Sequence, residues 1–473
     1  MKNVYQAYYQ NDDTKGLSMN LYAYAPPAGP RLVVNGQELY IKNREFRTVE
    51  RYQEYQNCGF NVLFGQHGGA YGDEPFEESG AKLILDRAYQ AGIRKVILTD
   101  LGLLNMKLDK DGLIGEDKRF STEKDLDAFV KERMSAYINH PAFYGVQLKD
   151  EPRFAMLKSY GQLYRSIKRV HPHVFIQCNL MGMFFSFNNS IYAPYDDKSR
   201  FTDCYKRYLE AFLDETGADY LMMDQYGMFS GESEGLYRYH FLAYQIMTQI
   251  AKERGIKLMT VAQSYSRTVG GKPAERKPNE DEMFYQINAI LGFGMKELAY
   301  YTYWSGGDIN FYGEFRAPDC AMVSMHGEIT PLYYSVQKVN AMIQKLAPVI
   351  LNFEHKNDTY AVQNLCKSKP MHLEHTLRGQ LQHAKLSNNQ EVTMAFELYD
   401  KIKEQYLYVV ENITCPKFGK DLPDQTSTLT FTNSAWTKVD VFDENEWHTE
   451  DLVNGTYTVT LKNGHAVYVL PHA

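Results

Sequence analysis

The chain has 473 residues, 44% of them hydrophobic and 23% charged, with a formal net charge of −7. That length suggests two or three domains, and the balance is globular rather than disordered or fibrous. No Lys/Arg-rich run stands out and the sequence pI is about 6.0, which argues against a nucleic-acid surface.

The first candidate strand is LSMNLYAY (17–24). REFRTVERYQEYQNCG (44–59) has helical spacing and stops at Gly59. FNVLFGQ (60–66) is strand-like, and a helix over about 76–91 ends at Gly92. KVILTDLG (95–102) is a third strand. STEKDLDAFVKERMSAYI (121–138) opens with Ser-Thr and Glu123, a capping-box pattern. FYGVQLK (143–149) is the fourth strand, with a helix after it through about 170. Four more pairs follow. The strands are HVFIQCNLM (173–181), ADYLMMDQYG (218–227), IKLMTVAQSY (256–265) and KELAYYTYW (296–304). Their helices span about 200–216, 235–254, 279–292 and 330–346. Strands alternating with helices imply a parallel sheet. Eight units imply a (β/α)8 TIM barrel over residues 1–348. A doubly wound open sheet is the alternative, weakened because no GxGxxG follows any strand.

From about 352 onward the pattern turns to short alternating runs, among them HLEHTLRG, EVTMAFELYD, YLYVVEN, STLTFTN and HAVYVLP. Asn-Asn and Asn-Gly turn signals separate several of them. An antiparallel β-sandwich domain over 349–473 is expected.

The six cysteines lack CxxC spacing, and Cys58 and Cys178 lie in core-like stretches, so reduced buried thiols are expected. The N-terminal MKNVYQAYYQNDDTKG has no apolar h-region, and no run of about 18 apolar residues exists. A cytoplasmic protein without membrane or nucleic-acid partners is expected, unless a signal has been trimmed. The oligomeric state is left open, a homo-oligomer included. The 37 Tyr and 25 Phe suit sugar rings or reflect compositional bias.

In a TIM barrel the chemistry sits at the C-terminal strand ends. Those ends carry His67, Asp100, Asp150 and Glu151, Asn179, Asp224 and Tyr226, Gln263, and Tyr303 and Trp304. The set holds no clustered His or Cys, so zinc is not expected; neither metal nor organic cofactor is implied. Carboxylates for acid and base, amides for hydroxyls and aromatics for stacking suit a carbohydrate substrate.

Glycosidic hydrolysis needs a general acid with a raised pKa and a group that stabilises an oxocarbenium-like transition state. Two adjacent carboxylates raise one another. Consecutive strand residues point to opposite faces, so Asp150 and Glu151 share a pocket only where the strand ends. Pro152 is expected to hold Glu151 in extended geometry and to end the strand.

YGVQLKDEP (144–152), with the helix and HVFIQCNLM after it, resembles sugar-cleaving barrels in which an Asp-Glu pair ends strand four. These are the β-N-acetylhexosaminidases and, with proline after the pair, certain β-N-acetylgalactosaminidases. EYQNCGFNVL (54–63), residues 282–304 and residues 326–346 resemble segments of such enzymes more loosely. The resemblance implies a retaining glycoside hydrolase that removes a terminal β-linked N-acetylhexosamine, GalNAc favoured, by substrate-assisted catalysis. Asp150 would steer the substrate's acetamido group and Glu151 would be the acid/base. The other strand-end residues would bind substrate, with Tyr226 a candidate for the acetamido carbonyl. A double-displacement β-glycosidase needs a second carboxylate, usually after strand seven, where VAQSY offers Gln263 instead. Asp224 or Glu314 could substitute. A non-catalytic carbohydrate-binding barrel is the third reading.

Overall fold

The computed structural model describes residues 8–9, 13–14, 16–25, 27, 31–34, 37–40, 46–65, 70–183, 201–228, 234–270, 272–305, 314–315, 317, 319–356, 360–363, 381–388, 392–413 and 424–473. Eight parallel strands appear where the apolar runs place them: β1 Asn20–Ala23, β2 Leu63–Gly65, β3 Val96–Thr99, β4 Phe143–Gln147, β5 Phe175–Gln177, β6 Tyr220–Asp224, β7 Lys257–Gln263 and β8 Glu297–Tyr301. They form two four-stranded sheets, ordered β2-β3-β4-β5 and β1-β8-β7-β6. The sheets meet at two seams. Leu180, beyond β5, bridges Met223 of β6. At the other seam the amides of Asn61 and Val62 both donate to the Leu21 carbonyl at 3.1 Å.

Helices alternate with the strands: α1 Val49–Asn57, α2 Gly80–Ala91, α3 Glu123–Met134, α4 Leu157–Val170, α5 Phe201–Thr216, α6 Glu234–Arg254, α7 Glu280–Gly292 and α8 Pro331–Ile350. Local chemistry sets their ends. Gly92 closes α2 at φ 99°, a conformation glycine adopts without steric cost. The capping box of α3 is closed by Thr122 and Asp125 rather than by Glu123. α8 starts on Pro331 and runs beyond the expected 346, through Pro348. Gly145 permits the close approach of β4 to β5, because a Cβ there would lie 2.2 Å from the Phe175 carbonyl oxygen.

Much of the tyrosine content is core. Tyr22, Tyr55, Tyr137, Tyr160, Tyr208 and Tyr244 are all less than 2% exposed, and several spend the hydroxyl on backbone, as Tyr55 does on the Val62 carbonyl at 2.9 Å. Cys58 and Cys178 are buried, as expected.

Beyond α8 the chain forms two antiparallel sheets. The larger has Val392–Asp400, Gln405–Asn412, Ala466–His472 and Lys438–Phe442 as consecutive neighbours; the smaller joins Ala384–Asn388, Gln425–Phe431 and Thr456–Leu461. The expected run HLEHTLRG (372–379) lies outside the described residues. The period-two alternation is visible in burial. Phe396, Val409 and Tyr468 join the core of the parallel sheets and helices. Their neighbours Ala395, Tyr408 and Val469 pack with Leu429, Phe431 and Tyr457 of the small sheet. The larger sheet is therefore covered on both faces.

Candidate active site

The segment after β4 departs from the expected geometry. Glu151 is not extended: its φ is +44°, although proline follows. A left-handed non-glycine residue costs roughly 1–2 kcal/mol, and such conformations persist where surrounding structure holds them. Here the Glu151 amide donates to the Asn179 carbonyl at 2.8 Å. The Pro152 carbonyl accepts from the Tyr208 hydroxyl of α5 at 2.7 Å, and the same hydroxyl accepts from the Met181 amide at 3.4 Å. The turn at Glu151 resolves the alternation problem, since Asp150 and Glu151 both come to lie against Asp224 at the end of β6.

Three carboxyls thus converge from β4 and β6. Burial, then the charges of Asp224 and Asp150, then a hydrogen bond with Asp224 hold the Glu151 carboxyl well above the usual carboxylate range, against the Arg267 guanidinium. Burial and the Asp224 charge raise Asp150, while a hydrogen bond from Asn179 and the Lys149 charge oppose them. Asp224 is raised by burial and opposed by hydrogen bonds from Glu151, Asn179 and Tyr226. By surface area Asp150 is exposed and Glu151 half-buried, yet burial heads the causes of both rises. Water touches one side of each carboxyl and protein mass desolvates the rest. Three neighbouring carboxyls cannot all ionise cheaply, and the proton is held most strongly on Glu151.

Asn179 ties the group together. Its side-chain amide donates to Asp150 at 3.4 Å and to Asp224. Around it lie buried acceptors without a hydrogen-bond partner among the described residues: Asn179 Oδ1, Asp224 Oδ1 and Gln177 Oε1. Buried acceptors of this kind call for donors, which a polyhydroxylated ligand supplies. Tyr226 stacks edge-on with Tyr265 at 5.4 Å and near Tyr301 at 6.1 Å, giving the cluster an aromatic wall.

The other expected strand-end residues are engaged elsewhere. Asp100 is fully buried, and its carboxylate accepts from Arg133 at 2.8 Å, Tyr137 at 2.7 Å and the Gly102 amide at 2.8 Å. It anchors α3 rather than joining the cluster. Gln263 spends its side-chain amide on backbone: its Oε1 accepts from the Met228 amide, and its Nε2 donates to the carbonyls of Met228 and Arg276 at 3.0 Å. Tyr303 is buried against Tyr55, with its hydroxyl 3.4 Å from Glu54. Trp304 is 3% exposed, with Phe46 edge-on at 5.3 Å and the Arg51 guanidinium 5.7 Å from its ring. A stacking platform needs an open face, which Trp304 lacks. His67 and the Glu314 side chain lie outside the described residues.

Four contributors escaped sequence reasoning. Tyr24, at the end of β1, accepts from Gln177 Nε2 at 2.6 Å and feels the charges of Asp150 and Asp224. Its place on the first strand end was the available signal. Arg267, bidentate with buried Glu275, brings a positive charge to Glu151. Gln177, one turn of alternation before Asn179, and Tyr208, in the middle of a helix, carry no motif. Among the described residues no group of three or more His, Cys, Asp or Glu could hold a metal ion.

No family model and no curated protein matches the chain. Solved structures do. A glycoside hydrolase of family 5 from Bacteroides vulgatus ATCC 8482 aligns over 96% of this chain and 89% of its own, at 10% identity and a TM-score of 0.52. A family 27 β-L-arabinopyranosidase from Geobacillus stearothermophilus covers 98% and 97% at 9% identity, with a TM-score of 0.48. A family 30 endoxylanase from Clostridium papyrosolvens C71 covers 89% and 92% at 13% identity, with a TM-score of 0.40. The likeness to the family 5 structure is one of fold, and none of the three carries a substrate over to this chain.

Proposed function

We propose that the chain is a retaining glycoside hydrolase that removes a terminal β-linked N-acetylhexosamine, GalNAc ahead of GlcNAc, by substrate-assisted catalysis. We read the two parallel sheets as one (β/α)8 barrel, on the strength of their two seams. We read the region after residue 348 as a β-sandwich domain. The observation that carries the function is the turn at Glu151, which brings Asp150 and Glu151 against one cluster while the β7 end offers only Gln263, already spent on backbone.

Protonated Glu151 would donate to the glycosidic oxygen as the acetamido carbonyl oxygen attacks the anomeric carbon. Asp150 would accept the acetamido N–H and stabilise the oxazolinium. The leaving alcohol departs with the Glu151 proton, and the resulting carboxylate then takes a proton from the water that opens the ring. The buried acceptors of Asn179, Asp224 and Gln177 would take sugar hydroxyls.

Release of 4-nitrophenol from its β-GalNAc glycoside, inhibited by a GalNAc-thiazoline, tests this. Turnover of β-galactosides alone, with no thiazoline effect, would sink it. Glu151→Gln should lose about 10²–10⁴ in rate on poor leaving groups and far less on 4-nitrophenyl or better ones. A second reading, double displacement with Asp224 as nucleophile, rests on Asp224 being the remaining carboxyl beside the pair, although a hydrogen bond to Glu151 is closer than the separation of about 5–5.5 Å that this mechanism uses. It predicts a glycosyl–Asp224 adduct with a 2-fluoro sugar. A non-catalytic sugar-binding barrel would keep its affinity in Glu151→Gln and turn over no glycoside.

A further inference from the structure

At the opposite end of the strands from Glu151, a cavity of about 720 Å³ lies between the strand starts and the chain beyond α8. Asn20, Lys257 and Glu297 line it from the N-terminal ends of β1, β7 and β8, and Glu354 and His355 line it from beyond α8. The volume falls in the usual range for small-molecule sites, about 300–1,000 Å³.

The wall has an unusual charge economy. Glu297 is 6% exposed; its Oε2 accepts from Asn20 at 2.9 Å, but its Oε1 has no hydrogen-bond partner, and it makes no ion pair among the described residues. Burial pushes its carboxyl up to about 7 in spite of the Lys95 and Lys257 charges. The rim is rich in cations whose partners are not carboxylates. Lys252 donates to the Lys356 carbonyl, and Lys296 to the carbonyls of Ile350 and Phe353. Of the other acids lining it, Glu354 is paired with Lys401 at 2.5 Å and Asp219 lends its charge to Lys168. Among the described residues, one buried acceptor therefore has no cation bonded to it, while Lys252, Lys257 and Lys296 make no ion pair of their own.

We propose that this cavity binds a small zwitterion, with a primary ammonium on Glu297 Oε1 and a phosphate or carboxylate on the lysine rim. Each half of such a ligand answers one half of the imbalance, and neither a plain amine nor a plain anion answers both. The wall belongs both to the parallel strands and to the chain beyond α8, so the ligand would also tie those parts together. Nothing in this inference depends on the chemistry assigned to Glu151.

Calorimetric titration of the full chain at pH 7 tests it with two matched pairs: glucosamine 6-phosphate against glucose 6-phosphate, and L-glutamate against glutarate. At least one ammonium-bearing member should bind tenfold or more tightly than its partner, and the successful pair identifies the acid group. Glu297→Gln should erase that preference, and Lys257→Met should weaken both members of the successful pair. Equal binding within both pairs, or a preference that survives Glu297→Gln, overturns the proposal. The wild-type comparison decides alone if the variants do not fold.

Discussion

Glu297→Gln gives a direct reading of buried charge, independent of any activity. Folding raises the Glu297 carboxyl from 4.5 to about 7. The folded state thus binds this proton more tightly than the unfolded state. The resulting stability is fully present below about pH 4.5 and is lost as pH climbs toward 7. At about 1.4 kcal/mol per pH unit, the loss amounts to about 3 kcal/mol. Lys296 works in the next window: burial lowers its ammonium to about 7, so between pH 7 and 10.5 the unfolded state binds more protons and stability rises. The pair should produce a shallow minimum near neutrality. Urea unfolding of wild type and Glu297→Gln at intervals from pH 4.5 to 9 would show it. The glutamine variant keeps an acceptor for Asn20 and should flatten the acidic limb only, closing most of the 3 kcal/mol gap. Parallel wild-type and variant curves between pH 5 and 8 would refute the account of Glu297 as an unpaired buried acid.

Other perturbations probe the site and its frame. Gly145→Ala would press a methyl to 2.2 Å from the Phe175 carbonyl oxygen, and overpacking of that kind should cost about 3 kcal/mol; an unchanged melting temperature would contradict the close β4–β5 approach. Arg133→Ala leaves the fully buried Asp100 carboxylate without its cation and should destabilise by about 3–5 kcal/mol in denaturant titration; a loss near zero would mean Asp100 takes up its proton instead. Asp224→Asn removes a negative charge that raises Glu151, so the alkaline limb of the kcat/KM profile should move to lower pH. Abolition of turnover at every pH would favour Asp224 as nucleophile.

The eight strand–helix units were legible because each strand is a short apolar run and each helix has its own stop or cap, such as Gly92 or the Asn279 cap of α7. The site was legible only in part. The pre-proline rule predicts extended backbone at Glu151, and tertiary hydrogen bonds to the Asn179 carbonyl and from the Tyr208 hydroxyl select the left-handed turn instead. Asp100 looks the same in sequence as Asp150 at a strand end; only Arg133 and Tyr137, brought in by α3, divert it. Position after a strand likewise cannot tell the amide of Gln263, spent on loop backbone, from that of Asn179, turned onto carboxylates. The trailing sheets were readable as alternation, but alternation does not reveal that both faces of one sheet are buried.

That doubly covered sheet bears on how the chain can be divided. Gly292, at the end of α7, has no side chain because Phe396 occupies its place; a Cβ would meet the ring at 2.3 Å. Beside it Phe293 packs edge-on to the same ring at 4.9 Å, and Tyr468 donates to Asn288 at 2.8 Å. A chain severed after α8 would present this strip of α7 to water, an apolar patch of the sort that recruits other chains. The trailing segment is therefore a fitted plank against the α7 face and not a detachable accessory. A swap for another domain would require recarving α7 to receive it.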